Sequence, residues 1–142
     1  MINVKYFILL PSVNYVGSEV DNFQWSMMLR SISSFRAFKW AYGEEEINYI
    51  KIIDFLILNM TCPRSLIFSI EKINHHLDRL TKFYKQNSLA KSKVKLMYNK
   101  FKKLNADTIS DLGLHEFLKS FIIDIDLIYR ELEKKYFFGI NQ

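Results

Sequence analysis

The sequence predicts an all-α fold: an antiparallel helical bundle of five to six helices, forming a single domain over residues 1–142. Three observations lead there. Glycine and proline are scarce, at four and two residues, so the chain has few punctuation points and long uninterrupted segments. Apolar residues recur in those segments at steps of three and four, the period of one helix face. At 49% apolar and 25% charged residues, the composition is that of a globular protein large enough to bury one core. Aromatics reach 15%, with twelve Phe and eight Tyr, which points to an aromatic core or an aromatic docking face.

Taken in order, the opening MINVKYFILLPS holds an apolar run of five residues, Tyr6 to Leu10, ended by Pro11. A helix over Asn3–Leu10 would be the sixth of the bundle. The run is too short for a signal-peptide core or a membrane span, so a cytoplasmic protein with no membrane partner is expected. From Glu19 to Tyr42 the apolar stripe is Val20, Phe23, Met27, Ile32, Phe35 and Phe38, widened by Trp25, Met28 and Leu29. One helix is expected there, stopped by Gly43. The acids Glu44 to Glu46 suit the start of the next. Residues 50–58 are rich in Ile, so strand is a rival, but Lys51 and Asp54 interrupt the run at helical spacing.

Pro63 fits the first position of a helix, where its missing N–H costs nothing; Cys62 or Thr61 would then be the cap. Leu66, Ile70, Ile73, Leu77, Leu80 and Tyr84 form a narrow helical seam behind it. Val94, Met97, Phe101 and Leu104 continue the rhythm. NADTISDLG carries turn formers and reads as a loop. A last helix is expected from about Leu112 to Phe137, with Leu114, Phe117, Phe121, Ile125, Ile128, Leu132 and Tyr136 facing inward.

Chemistry is harder to find. One cysteine excludes an internal disulfide and an all-cysteine metal site. Cys62 lacks a nearby base and reads as a cap or a small buried side chain. His75 and His76 are adjacent, so on a helix they diverge by about 100° and cannot grip one metal. No metal or cofactor is expected, and neither a P-loop, a Rossmann fingerprint, HExxH nor GxSxG occurs. Arg64, in the first turn of its expected helix, faces an unfavourable dipole. Either a carboxylate such as Asp54 or Glu71 holds it, or it binds an anion together with free backbone N–H groups. Arg30 is the better of the two arginines on the first long helix to share such a site; Arg36 lies on a different face.

Net charge is +5, unevenly spread: Arg79 to Lys103 carries one Arg and eight Lys with no acid. Lys with interleaved Phe83, Tyr84, Tyr98 and Phe101 is the mixture that nucleic-acid binding uses. The scarcity of Arg and the separation of Lys91, Lys95 and Lys102 from the apolar seam favour a solvated or partner-docking face instead.

The series QWSMMLRSISSFRAFKWAYG, FLILN, CPRSLIFSIEKINHHLDRL and LEKKYFFG, with NVKYFILLPS before it, resembles the alpha-E domain family, an all-helical group of bacterial proteins. The resemblance covers the chain in consistent order and is to the C-terminal half of the domain. It implies that the family's glutamate–arginine motif lies in the other half; here the only Arg–Glu neighbours, Arg130 and Glu131, are reversed. It also implies an association with ATP-grasp ligase-like and transglutaminase-like proteins in peptide synthesis or modification. The leading expectation is therefore a non-enzymatic scaffold or partner module. Its partner would be such a protein, a missing N-terminal half, or a second copy. The alternatives are an enzyme component of amide-bond chemistry binding a carboxylate or phosphate through Arg30 and Arg64, and a nonspecific nucleic-acid binder through the lysine arm.

Overall fold

A computed structural model describes residues 19–43 and 46–136, and the side chains from residue 22 onward. The expected helix at Asn3–Leu10, the acids Glu44 and Glu45, the Val20 side chain and Phe137 lie outside the described residues. Within them the protein is all helical. The elements are α1 (Glu19–Ser31), α2 (Phe35–Tyr42), α3 (Tyr49–Ile53) running into a π-helical segment (Asp54–Leu58), α4 (Leu66–Tyr84), α5 (Leu89–Phe101), α6 (Ala106–Leu112) and α7 (Leu114–Tyr136). These seven α-helices exceed the five to six expected, for two local reasons.

The first reason is a break at Ile32–Ser34. Ser33 takes φ 55°, and the Ser34 N–H reaches back to Leu29 O at 2.8 Å, the six-to-one bond of a helix C-terminal cap. Ser31 Oγ donates to Met28 O at 2.7 Å. Serines compete for backbone partners in this way, so SISS ends one helix and opens another. The buried face of α1 is Trp25, Met28 and Leu29, while Phe23 and Met27 are exposed. The second reason is α6, where a loop was expected. Asn105 Oδ1 accepts from the Thr108 N–H at 2.7 Å, and Ala106 and Ile109 are buried three residues apart, so the turn formers cap a helix.

The Ile-rich run is helical, started by Asn48, whose Oδ1 accepts from the Lys51 N–H at 2.9 Å. Its π-helical continuation buries Phe55, Leu56 and Ile57 in succession, which requires protein on every side. Pro63 does not open α4. The cap is Ser65, whose hydroxyl accepts from the Phe68 N–H at 3.2 Å. Pro63 and Arg64 belong to the turn before it.

The core joins all these elements. Phe38 is fully buried and meets Phe55 edge-on at 5.4 Å and Tyr42 stacked at 4.9 Å. Each fully buried large side chain of this kind, Leu29 and Ile57 among them, stabilises the fold by about 1.5–3 kcal/mol. The α4 seam is buried at Leu66, Ile70 and Leu77 but emerges at Leu80 and Tyr84, where the Tyr84 ring meets Tyr136 of α7 at 5.8 Å and stays half exposed. Val94, Met97 and Phe101 of α5 are buried as their spacing predicts, as are Leu114, Phe121 and Ile128 of α7. α4 packs on α5 and on the π-helical segment, α5 on α7, α6 on α3 and α7, and α1 on α2 and α3.

Candidate functional site

The turn that carries Arg64 is built by one side chain. Asn59 Oδ1 accepts from the N–H groups of Thr61 and Cys62, both at 2.9 Å, and from the Thr61 hydroxyl at 2.8 Å. Ser65 Oγ then donates to Asn59 O at 2.5 Å, closing residues 59–65 into a compact unit. Cys62 is buried inside it as a free thiol. Arg64 is exposed on the outside and forms no ion pair among the described residues. The carboxylates expected to hold it are engaged elsewhere: Asp54 accepts from Tyr42, and Glu71 from Tyr98 at 3.4 Å. Because α4 starts at Leu66, Arg64 sits outside the helix and meets water rather than the dipole.

Arg30 is accounted for locally. It lies in the last turn of α1, where the dipole favours a cation, and its guanidinium stands 4.0 Å from the centre of the Phe35 ring. No described contact joins Arg30 to Arg64. Arg36 is exposed, as are His75, His76 and His115. Among the described residues no group of three His, Cys, Asp or Glu could hold a metal ion, and no helix is long and apolar enough to cross a membrane.

Tyr42 and Asp54 form a polar pair that sequence reasoning missed. The Tyr42 phenol is half-buried, and its pKa is raised well above the ordinary value by burial first and by the bond to Asp54 second. The only sequence signal was an Asp breaking an apolar run. Asn59 and Ser65 were missed as well; a Ser directly ahead of LIFSI was a legible cap signal.

The lysine arm is partly neutralised. Lys91 bridges to Asp78 at 2.9 Å, and Lys102 lies 5.6 Å from the Tyr98 ring. The hydrogen bond from Lys91, with Lys82 and Lys95 nearby, holds the Asp78 carboxyl below the usual carboxylate range.

Among the apolar features that face solvent, two stand out, on α1–α2 and between α5 and α7. The first is a set of exposed side chains on the first two helices: Phe23 and Met27, one turn apart on α1, and, on α2, Trp40, which is 93% exposed. The second is a groove of about 300 Å³ between α5 and α7, floored by Met97, Phe101, Phe117, Phe121 and Ile128. Lys93, Leu96 and Lys100 edge it on α5, and Ser120, Asp124 and Leu127 on α7.

A model of the Alpha-E family, described as a predicted alpha-helical domain with a conserved ER motif, matches residues 1–137. No curated protein and no solved structure matches the chain. The 142 residues contain no Glu–Arg dipeptide. The reversed pair Arg130 and Glu131 serves local ion pairs, with Asp126 at 2.8 Å and Lys134 at 3.8 Å.

Proposed function

The chain belongs to the Alpha-E family, and from that premise we propose that it acts as a non-enzymatic helical module that docks a partner protein. The partner is an ATP-grasp ligase-like or transglutaminase-like protein of a peptide synthesis or modification system. The observation that carries the reading is the exposed set Phe23, Met27 and Trp40. A Trp almost wholly in water has no role in the core, and Trp is the side chain most enriched among residues that dominate protein interfaces.

The enzyme-component reading would need Arg30 and Arg64 at one pocket. Arg30 is engaged by Phe35 and neither arginine lines the α5–α7 groove, so nothing in their geometry favours it.

Size-exclusion chromatography of the chain with an ATP-grasp-like and with a transglutaminase-like protein tests the proposal. A stable complex is expected with one of them, and Trp40→Ala should weaken it by about tenfold or more. No complex with either, or one indifferent to Trp40→Ala and Phe23→Ala, would sink it.

A further inference from the structure

We infer that the groove between α5 and α7 is a self-complementary surface that pairs two copies of this chain. The inference rests on a different surface from the one invoked for a ligase-type partner.

The two edges of the groove carry matching patterns of opposite charge. On α5 the order is Lys93, Leu96, Lys100; on α7 the edge carries Asp124 and Leu127, with Glu131 one turn beyond the groove on the same helix face. Both run with steps of three and then four, so each trio lies along one helix face over two turns, roughly 10.5 Å. Leu96 and Leu127 are 69% and 45% exposed, so each trio is an apolar knob between two like charges. The charges are not spent inside the molecule. Among the described residues no ion pair or side-chain hydrogen bond engages the charged groups of Lys93, Lys100 or Asp124, and the Glu131 carboxylate has only the 3.8 Å contact with Lys134.

Among the described residues no ion pair joins the α5 lysines to the α7 carboxylates within one copy. Across a two-fold axis, α5 of one copy meets α7 of the other, and every contact occurs twice. Lysines then face carboxylates, Leu96 faces Leu127, and the apolar knobs close over the groove. The floor suits such a fit, because Met97 is adaptable and the rings of Phe101, Phe117 and Phe121 already pack at 5.5–5.7 Å. Ile123 of α7, 54% exposed, adds apolar surface beside the knob. Like-charged edges would repel, which sets the pairing of α5 with α7 rather than α5 with α5.

Sedimentation equilibrium of the full chain, with two charge-reversed variants, decides the matter. The wild type is expected to dimerise reversibly. Lys93→Glu with Lys100→Glu, and separately Asp124→Lys with Glu131→Lys, should each weaken dimerisation by at least about tenfold. A one-to-one mixture of the two variants should restore association, because reversed edges then meet reversed edges. Helical circular dichroism confirms that each variant is folded, and Leu96→Asp gives an independent disruption without reversing any charge. A monomeric wild type, variants that dimerise like wild type, or a folded mixture that stays monomeric would each overturn the inference. None of these results bears on whether a ligase-type protein binds through Trp40, which the chromatography reads separately.

Discussion

The hydroxyl of Tyr42 donates to a carboxylate oxygen of Asp54, tying the last residue of α2 to the first of the π-helical segment. Phe38 and Phe55 flank the Tyr42 ring, so the bond sits at the edge of the aromatic core. Tyr42→Phe removes the donor and leaves Asp54 half-buried without it, at an expected cost of about 1–3 kcal/mol in denaturant unfolding. The same pair predicts a pH dependence. The folded phenol pKa lies above the ordinary 10.0, so its contribution is complete below pH 10.0 and is lost as pH rises toward the folded value. Wild type should therefore lose stability in that alkaline range more steeply than Tyr42→Phe. Identical slopes would mean that this phenol titrates as it does in the unfolded chain.

The cap of α4 gives a contrast between neighbouring residues. Ser65→Ala deletes both the bond to the Phe68 N–H and the bond to Asn59 O, at a fully buried position. A loss of about 1–2 kcal/mol is expected. Pro63→Ala, in an exposed turn position, should cost only a few tenths of a kcal/mol through the unfolded state. Urea midpoints of the two variants check this, and equal losses would return the helix start to Pro63.

Asp78 of α4 faces the lysines of α5, with its carboxyl pKa depressed chiefly by the Lys91 hydrogen bond. Its contribution is present above the ordinary value of 3.8 and is lost as pH falls through the depressed folded value. Asp78→Asn should flatten the acid limb of the stability profile, and added salt should shrink the difference, because the pair is partly exposed. An acid limb unchanged by the substitution would show that Lys91 and Asp78 do not pair in solution.

Much of the helical framework was legible in the sequence. Leu66, Ile70 and Leu77, then Val94, Met97 and Phe101, then Leu114, Phe121 and Ile128 announce buried faces by spacing alone. The helix starts after Ser34, Ser88 and Asn105 were not legible, because these are residues that turns and caps share. Periodicity also assigned the wrong face of α1, where Phe23 and Met27 look as buried as Trp25 and Leu29 until the neighbouring helices are placed. The α5–α7 groove was beyond sequence reading for a different reason. Its charged edges are spelled out in the chain, but only the packing of α5 on α7 sets them side by side.

Trp25 is 4% exposed and Trp40 is 93% exposed, and the chain has no third tryptophan. The molecule thus carries two intrinsic fluorophores at opposite extremes of solvent access. An aqueous quencher reaches Trp40 and spares Trp25, so quenching lost at Trp40 registers a covered surface and quenching gained at Trp25 registers a loosened core. Docking and unfolding can be followed separately in one unlabelled sample.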